Sequence, residues 1–314
     1  TDFNPEIMIS TELKMILRNN RIGYLNEDSF RSFRKFSTLD ISYNEIDAVS
    51  PHIFATVSSV KELNLAHNRI TSLGRGTFEN IGKALKILNL GWNEMHTVPE
   101  ALTDLRVLQV LKLDGNKMSK LDVTPLNSLK ESLVELSISF NHLSSIPSDL
   151  LQSLSSLKIL DLSKNRIESV TANWRIGNLQ KLYLAANRLS SISSPSFFAH
   201  SPALSLLDLS FNQIDSLSPT AFTTLLALDT LFLQHNLLKM VPRESLIAQT
   251  SLHTLVLDAN LIENLPTQST APWPRLTRLS INSNRISSID ERAFSSSFSL
   301  KYLDLSKNRI TSLK

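Results

Sequence analysis

The 314-residue sequence contains no cysteine and only 7 glycines, and both shortages limit what the chain can do. Without cysteine there is no disulfide and no cysteine nucleophile. The sequence also lacks a glycine-rich nucleotide loop, a Gly-x-Ser-x-Gly motif and a His-Glu-x-x-His motif. Its 32 basic and 29 acidic residues are too evenly balanced for a nucleic-acid-binding surface. These absences predict a chain that is not an enzyme and needs no cofactor or metal.

Thirteen asparagines recur at nearly even steps, and their spacing predicts the fold. The intervals between them run from 22 to 25 residues, and most are 24. Apolar residues stand eight, five and three positions before each asparagine and two and five positions after it, as in Leu157, Leu160, Leu162, Asn165, Ile167 and Val170, except that Glu12 stands eight positions before Asn20. A fixed period of this length is typical of a stacked repeat array. The asparagines are Asn20, Asn44, Asn68, Asn93, Asn116, Asn141, Asn165, Asn187, Asn212, Asn236, Asn260, Asn284 and Asn308.

A single repeat cannot form a core, which explains why the unit recurs. In Leu160-Asp161-Leu162 two leucines flank a polar residue, so a short strand turns the leucines inward and Asp161 outward. Stacked strands then form a parallel sheet over a continuous apolar core. Each asparagine follows its strand, where its amide can hydrogen-bond backbone groups that would otherwise be unpaired. We therefore expect a structural ladder of asparagines rather than a ligand site.

These residues resemble the leucine-rich repeat family, whose signature is L-x-x-L-x-L-x-x-N-x-L, from about residue 13 to the last residue. The 24-residue period, with phenylalanine ten positions after the asparagine, is similar to the extracellular type, such as chaoptin-like adhesion proteins and invertebrate matrix leucine-rich repeat proteins. The resemblance implies an α/β-type repeat solenoid, a horseshoe with a concave parallel sheet of about 13 short strands and an irregular convex side. The phenylalanines expected to form a buried spine are Phe30, Phe54, Phe78, Phe197, Phe222 and Phe294.

The array is predicted to occupy residues 1–314 as a single domain with open ends. About a dozen residues precede the first repeat, Lys314 falls within the last, and no capping module is present. Because uncapped terminal repeats expose the core to water, we expect an uncapped fragment of a longer protein. The missing signal peptide, membrane span and lipid anchor then carry little weight. The lack of cysteine and of Asn-x-Ser/Thr glycan acceptors favours an alternative, an intracellular scaffold or signalling adaptor.

Two groups of residues are candidates for partner binding. Strand positions six, four and two before each asparagine point away from the core, and apolar residues cluster there at Tyr183, Leu206, Phe232 and Val256. Exposed apolar groups anchor protein interfaces, whereas packing between neighbouring strands is the competing explanation. A second column, immediately before the asparagine, contains Tyr43, His67, Trp92, Phe140, Phe211 and His235. Aromatics recur there in the family along the edge of the sheet, and Trp92 is large enough to dominate a small contact.

The sequence therefore predicts a non-catalytic protein-binding scaffold in cell-surface adhesion, extracellular matrix organisation or receptor recognition, acting through the concave face. The expected partner is a protein ligand or a cell-surface protein, and homophilic contact stays open. No nucleic-acid partner is expected. Membrane attachment would occur only through sequence outside this chain. The predicted localisation is extracellular or at the cell surface, with the cytoplasm as the alternative.

Overall fold

The computed structural model describes residues 13–147, 154–170, 177–193, 198 and 201–313. The chain divides into two compact units, one of residues 1–143 with 153–157 and one of residues 144–152 with 158–314. Within both units the regular structure is mostly short β-strand, because leucines alternate with outward-facing residues over only a few positions in each repeat.

The described part of the first unit contains eight strands, six of which form a parallel sheet. In this sheet Leu39 lies opposite Leu63, and Leu63 lies opposite Leu88, so the leucine positions are in register. The sheet order is β1-β3-β5-β6-β7-β8, and β2 pairs separately with β4. Short 3-10 helices follow at Glu100–Asp104 and Thr124–Leu129. The strands are β1 (Leu13–Ile16), β2 (Tyr24–Leu25), β3 (Lys35–Asp40), β4 (Ala48–Val49), β5 (Ser59–Asn64), β6 (Ile87–Asn89), β7 (Val110–Lys112) and β8 (Glu135–Ser137).

In the second unit, seven strands form the main parallel sheet in the order β9-β10-β12-β14-β15-β17-β19. Two further parallel pairs, β11 with β13 and β16 with β18, lie outside this sheet. A 3-10 turn occupies Glu244–Leu246. The strands are β9 (Ile159–Asp161), β10 (Lys181–Tyr183), β11 (Ser191–Ile192), β12 (Leu206–Asp208), β13 (Ser216–Leu217), β14 (Thr230–Phe232), β15 (Thr254–Val256), β16 (Asn264–Leu265), β17 (Arg278–Ser280), β18 (Ser288–Ile289) and β19 (Tyr302–Asp304).

These parallel repeats confirm the predicted fold class, with six main-sheet strands in the first unit and seven in the second. The leucines three and five positions before the asparagine are buried in nearly every repeat, as Leu160 and Leu162 illustrate. Because each repeat contributes the same inward positions, the core of each unit is a column of aliphatic side chains that continues from one repeat to the next.

Aromatic side chains extend this core on the side away from the main sheet. Phe30 stacks on Phe54 with ring centres 5.8 Å apart, and Phe54 lies 6.4 Å from Phe78. In the second unit buried Phe198 packs 5.8 Å from Phe222. Phe197, the residue expected in this column, lies outside the described residues, and Phe294 is only half-buried.

The asparagines connect successive repeats. The Nδ2 group of Asn93 donates to the carbonyl oxygens of Leu65, Leu90 and Gly91, and its Oδ1 accepts the N–H of Ile70. Eleven of the thirteen asparagines are buried, from Asn44 to Asn284. Asn20 is exposed and Asn308 is half-buried, and these two asparagines belong to the first and the last described repeats.

Candidate functional site

Four neighbouring ring side chains follow the carboxyl ends of main-sheet strands in the first unit. They form what we call the aromatic row: Tyr43, His67, Trp92 and Phe140. Tyr43 and His67 are 4.0 Å apart between ring centres, and His67 and Trp92 are 5.5 Å apart and nearly parallel. Phe140 lies 5.2 Å from Trp92 at a tilted angle. Tyr43 and Trp92 are each 44% exposed and Phe140 is 40% exposed. The row is thus an ordered apolar surface in contact with water.

A backbone reversal immediately before each asparagine produces this row. All residues in that column have a positive φ, between 52° and 63°. This left-handed conformation turns the chain after the strand ends. It places the side chain beside the carboxyl end of the strand, where the rings of successive repeats can stack. β-branched residues are strongly disfavoured at positive φ, and none occurs in the column. The sequence prediction missed this conformation, although the absence of Val, Ile and Thr from the column indicates it.

Small residues beside the aromatic row leave a shallow groove of about 210 Å³ on the sheet face. The residues two positions before the asparagine are Ser42, Ala66 and Gly91 in three successive repeats. Because Ala66 and Gly91 contribute almost no side chain, the groove lies between the aromatic row and the next column of outward-facing residues.

The opposite wall of the groove is polar. Asn64, Asn89 and Lys112 lie side by side on three neighbouring strands. The Oδ1 atoms of Asn64 and Asn89 accept the backbone N–H groups of Ala66 and Gly91, at 3.1 and 3.0 Å. These bonds orient the two amides and leave both Nδ2 groups available as donors to a ligand. The groove therefore presents two amide donors and one cation opposite aromatic rings.

Charged side chains stand at both ends of the groove. The Arg18 guanidinium carbon lies 5.2 Å from the centre of the Tyr43 ring, a cation–π contact. Asp114 accepts hydrogen bonds from the backbone N–H and hydroxyl of Ser139 and from the Ser137 hydroxyl. Within the row, burial lowers the pKa of His67, because desolvation disfavours the imidazolium. A neutral imidazole is therefore favoured between the Tyr43 and Trp92 rings.

The apolar cluster predicted in the second unit is less exposed and less continuous. Phe232 lies opposite Val256 in neighbouring strands, but Asp208 separates Phe232 from Tyr183. Leu206 lies two residues before Asp208 on the same strand, between Lys181 and Thr230 of the neighbouring strands. The four predicted residues, Tyr183, Leu206, Phe232 and Val256, are all half-buried.

The column before the asparagine also carries a stacked pair in the second unit. Phe211 and His235 are 4.1 Å apart between ring centres, with planes 13° from parallel. Phe211 is 52% exposed, more than any residue of the predicted cluster. In both units the most accessible aromatic surface at the sheet therefore belongs to this column.

The described ranges contain neither a cluster of metal-ligand side chains nor a membrane-spanning helix. No group of three or more histidine, aspartate or glutamate side chains there could hold a metal ion. No helix within the same ranges combines the length and apolarity needed to cross a membrane.

Comparison with known proteins supports the repeat assignment. Lumican of Gallus gallus is 29% identical over 219 residues, covering 67% of this chain and 61% of lumican. Chaoptin of Drosophila melanogaster is 29% identical over 202 residues, covering 64% of this chain and 13% of chaoptin. The chain thus spans less than two thirds of either relative. Both are extracellular matrix or adhesion proteins, which confirms the expected type.

A solved structure and the family match agree with these relatives. The Toll–Spatzle complex of Drosophila shows the same fold, with a TM-score of 0.77 and 22% identity over 96% of this chain and 44% of that one. The family described as leucine rich repeat matches residues 14–70, 58–118, 131–189, 177–238 and 250–313. These matches extend over nearly the whole sequence, and the chain belongs to the leucine-rich repeat family.

Proposed function

We propose that this chain is a non-catalytic scaffold that binds a protein partner through the open face of its main sheet, with the aromatic row of the first unit as the principal contact. The observation that carries the proposal is the exposure of Tyr43, Trp92 and Phe140 in one stacked row. Exposed aromatic patches on folded proteins mark interaction sites, and Trp and Tyr are enriched among residues that dominate binding energy.

The stacking favours binding because it reduces the number of side-chain rotations that are lost when a partner binds. Each ring of the row already contacts a neighbour, so a partner would immobilise few additional side-chain rotations. The groove adds specificity, since the amide groups of Asn64 and Asn89 and the cation of Lys112 can pair with acceptors on a partner. Apolar anchoring beside oriented donors is a typical arrangement for protein recognition.

The cluster of the second unit is a secondary contact in this proposal. Phe232 and Val256 form its continuous part, and Tyr183 and Leu206 flank it across Asp208. Their half-buried state leaves a smaller apolar area than the aromatic row offers. We therefore expect this cluster to contribute less affinity than Trp92.

An extracellular or cell-surface role in adhesion, matrix organisation or receptor recognition is part of the proposal. Its support is the similarity to lumican and chaoptin. A solved structure that shares this fold is a complex of Toll with Spatzle, which supports a protein as the partner of this chain.

The experiment measures binding of the purified, labelled chain to cells and matrix of its source. Trp92→Ala is expected to weaken saturable binding by about tenfold or more, because truncating a central aromatic anchor costs about 2 kcal/mol. Phe298→Ala is the matched control, since Phe298 is 94% exposed but lies in a turn rather than in a main-sheet strand. Circular dichroism would establish that both variants are folded.

Treatment of the cell surface separates the classes of partner. Binding that is lost after proteinase digestion, and retained after glycosidase digestion, supports a protein partner. Equal binding by Trp92→Ala and the unmodified chain would contradict the aromatic row as the principal contact. Saturable binding that survives complete proteolysis of the cell surface would contradict a protein partner.

A further inference from the structure

The free polar groups of the groove beside the aromatic row are mostly hydrogen-bond donors. The Oδ1 atoms of Asn64 and Asn89 are occupied by backbone N–H groups, whereas their Nδ2 groups bond to no described residue. The Lys112 ammonium, the Trp92 indole N–H and the Tyr43 hydroxyl also have no hydrogen-bond partner in the described part of the chain. A ligand in this groove is therefore offered more donors than acceptors.

Most acceptors of the groove are already occupied. The carbonyl oxygens of Ser42, Ala66 and Gly91 each accept a backbone N–H of the preceding repeat and the Nδ2 group of an asparagine of the ladder. Asp114 is the one carboxylate that lines the groove, and its Oδ1 accepts three hydrogen bonds from the next repeat. A segment rich in N–H groups would find few acceptors here, whereas a segment that offers only acceptors would be matched.

Consecutive prolines supply this combination of groups. Each proline has a carbonyl acceptor and an apolar ring but no N–H donor. A run of prolines adopts the left-handed polyproline II helix, which has no internal hydrogen bonds, so every carbonyl oxygen is free to accept one from a partner. Because this helix is already formed before binding, association costs little backbone entropy.

The spacing of the repeats matches the repeat distance of this helix. Asn64 and Lys112 lie two strands apart, which corresponds to about 9.6 Å at the usual spacing between strands. On the other wall, ring centres are 4.0 Å apart between Tyr43 and His67 and 5.5 Å apart between His67 and Trp92. One turn of polyproline II contains three residues and is about 9.3 Å long. One residue in three would therefore face the amide wall at each second repeat.

The length and the charge of the groove limit the segment further. Its lining residues, from Arg18 to Asp114, belong to five successive repeats, which corresponds to a length of about 19 Å. Polyproline II covers this length with about six residues. Arg18 and Lys112 are balanced by Asp114 and by Asp40, which lies beside Asn64 on the neighbouring strand. A balanced surface does not favour an acidic segment, so uncharged carbonyl oxygens are the acceptors that fit.

We propose that the groove binds a proline-rich segment of the protein partner, about six residues long, in the polyproline II conformation and running along the aromatic row. Its proline rings would pack against the row and fill the space above Ala66 and Gly91. Its carbonyl oxygens would accept hydrogen bonds from Asn64, Asn89 and Lys112. This inference rests on the proposed function, because it names the class of segment that the aromatic row contacts.

Three synthetic decamers are suitable probes. Decaproline forms polyproline II and has no proline N–H, an alternating Gly-Ser decamer is flexible and rich in N–H groups, and decaglutamate is acidic. The Trp92 indole N–H signal reports binding, and the buried Trp273 indole, which donates to the Leu246 carbonyl, is the internal reference. We expect decaproline to shift the Trp92 signal saturably and to leave the Trp273 signal unchanged. The other two decamers should bind about tenfold more weakly or less.

Asn89→Asp tests the amide wall, because it removes the Nδ2 donor and keeps an oxygen that can accept the Gly91 N–H. Aspartate fits this position, since Asp161 and Asp208 make the same bond at equivalent places in other repeats. The variant should bind decaproline about tenfold more weakly. The matched control Asn264→Asp also replaces an amide whose Oδ1 accepts a hydrogen bond, but it lies in β16 outside the groove and should leave binding unchanged.

Several outcomes would overturn the inference. These are an absence of saturable Trp92 shifts with decaproline, equal or tighter binding of either other decamer, and full affinity for decaproline in Asn89→Asp. The cell-binding assay separates this inference from the proposed function. If Trp92→Ala weakens cell binding but decaproline does not bind, only the proline-rich segment is contradicted. If Trp92→Ala leaves cell binding unchanged, the aromatic row as the partner contact is contradicted, whatever decaproline does.

Discussion

The indole ring of Trp92 lies flat over the backbone of Gly115, which occupies the equivalent position in the next repeat. A Cβ atom at Gly115 would stand 2.5, 2.6 and 2.9 Å from Cδ2, Cε3 and Cε2 of Trp92, all closer than carbon atoms approach without displacement. Gly115 also has a φ of +63°. The repeat of Gly115 has no aromatic side chain in this column. Its glycine leaves the space in which Trp92 reaches Phe140 of the following repeat, so the aromatic row is continuous.

Gly115→Ala is expected to displace Trp92 and to reduce the free energy of unfolding by about 1–3 kcal/mol, from the strained φ and the steric conflict together. Urea unfolding gives the free energy, and chemical shifts of the Trp92 indole N–H report the ring. Gly74→Ala is the control, because no atom lies within 4 Å of the Cβ it would add. An unchanged Trp92 environment in Gly115→Ala would contradict the stacking described above.

Asn93→Ala should destabilise the first unit by about 2–4 kcal/mol, because it removes the bonds to three carbonyl oxygens and leaves the buried N–H of Ile70 without an acceptor. Asn20→Ala removes the same side chain from an exposed position, where Nδ2 bonds only within its own repeat, and should cost less than about 1 kcal/mol. The measurement is urea unfolding followed by circular dichroism. Similar losses in both variants would show that bonding between repeats adds little to stability.

Stability should fall in mildly acidic solution because of His67. Burial lowers the pKa of His67 in the folded chain below its ordinary value of 6.5, so the unfolded chain binds the proton more readily. The stabilising contribution is therefore present above about pH 6.5 and is lost as the pH falls through the folded-state pKa.

His67→Phe keeps a ring in the row but removes this titration. Relative to that variant, the unmodified chain should lose stability in urea unfolding as the pH falls below 6.5, the ordinary pKa of histidine. His96→Phe, which alters an exposed histidine outside the row, serves as the control. Parallel pH profiles for the unmodified chain and His67→Phe would contradict the lowered pKa.

Phe232→Glu should weaken partner binding about threefold to tenfold while the fold stays intact, since the residue is half-buried on the outward face of β14. Leu226→Glu introduces the same charge at a residue that is 60% exposed in a turn, and it should leave binding unchanged. Both variants would be compared in the cell-binding assay and in thermal unfolding. Unchanged affinity of Phe232→Glu would remove the second-unit cluster from the interface.

The repeat frame made much of the fold predictable from the sequence. The relative exposure of the surface residues could not be predicted from it. Leu160 and Leu162 alternate with Asp161, and such alternation defines the buried face of a strand wherever it occurs. Phe232 occupies an outward position but is half-buried, because its exposure depends on the side chains of the neighbouring strands. The sequence pattern also contained Trp92 and Gly115, but it did not indicate that the Trp92 ring would lie over the backbone of Gly115.

The sequence by itself determined the repeat unit, the inward leucines, the asparagines and the parallel order of strands, because each follows from a local pattern that recurs along the chain. Only the tertiary structure decided which outward residues meet. The aromatic row depends on a left-handed residue in each repeat and on the space above Gly115. The physical reason is that a repeat pattern specifies contacts common to every repeat, whereas a binding surface depends on how particular neighbouring side chains differ.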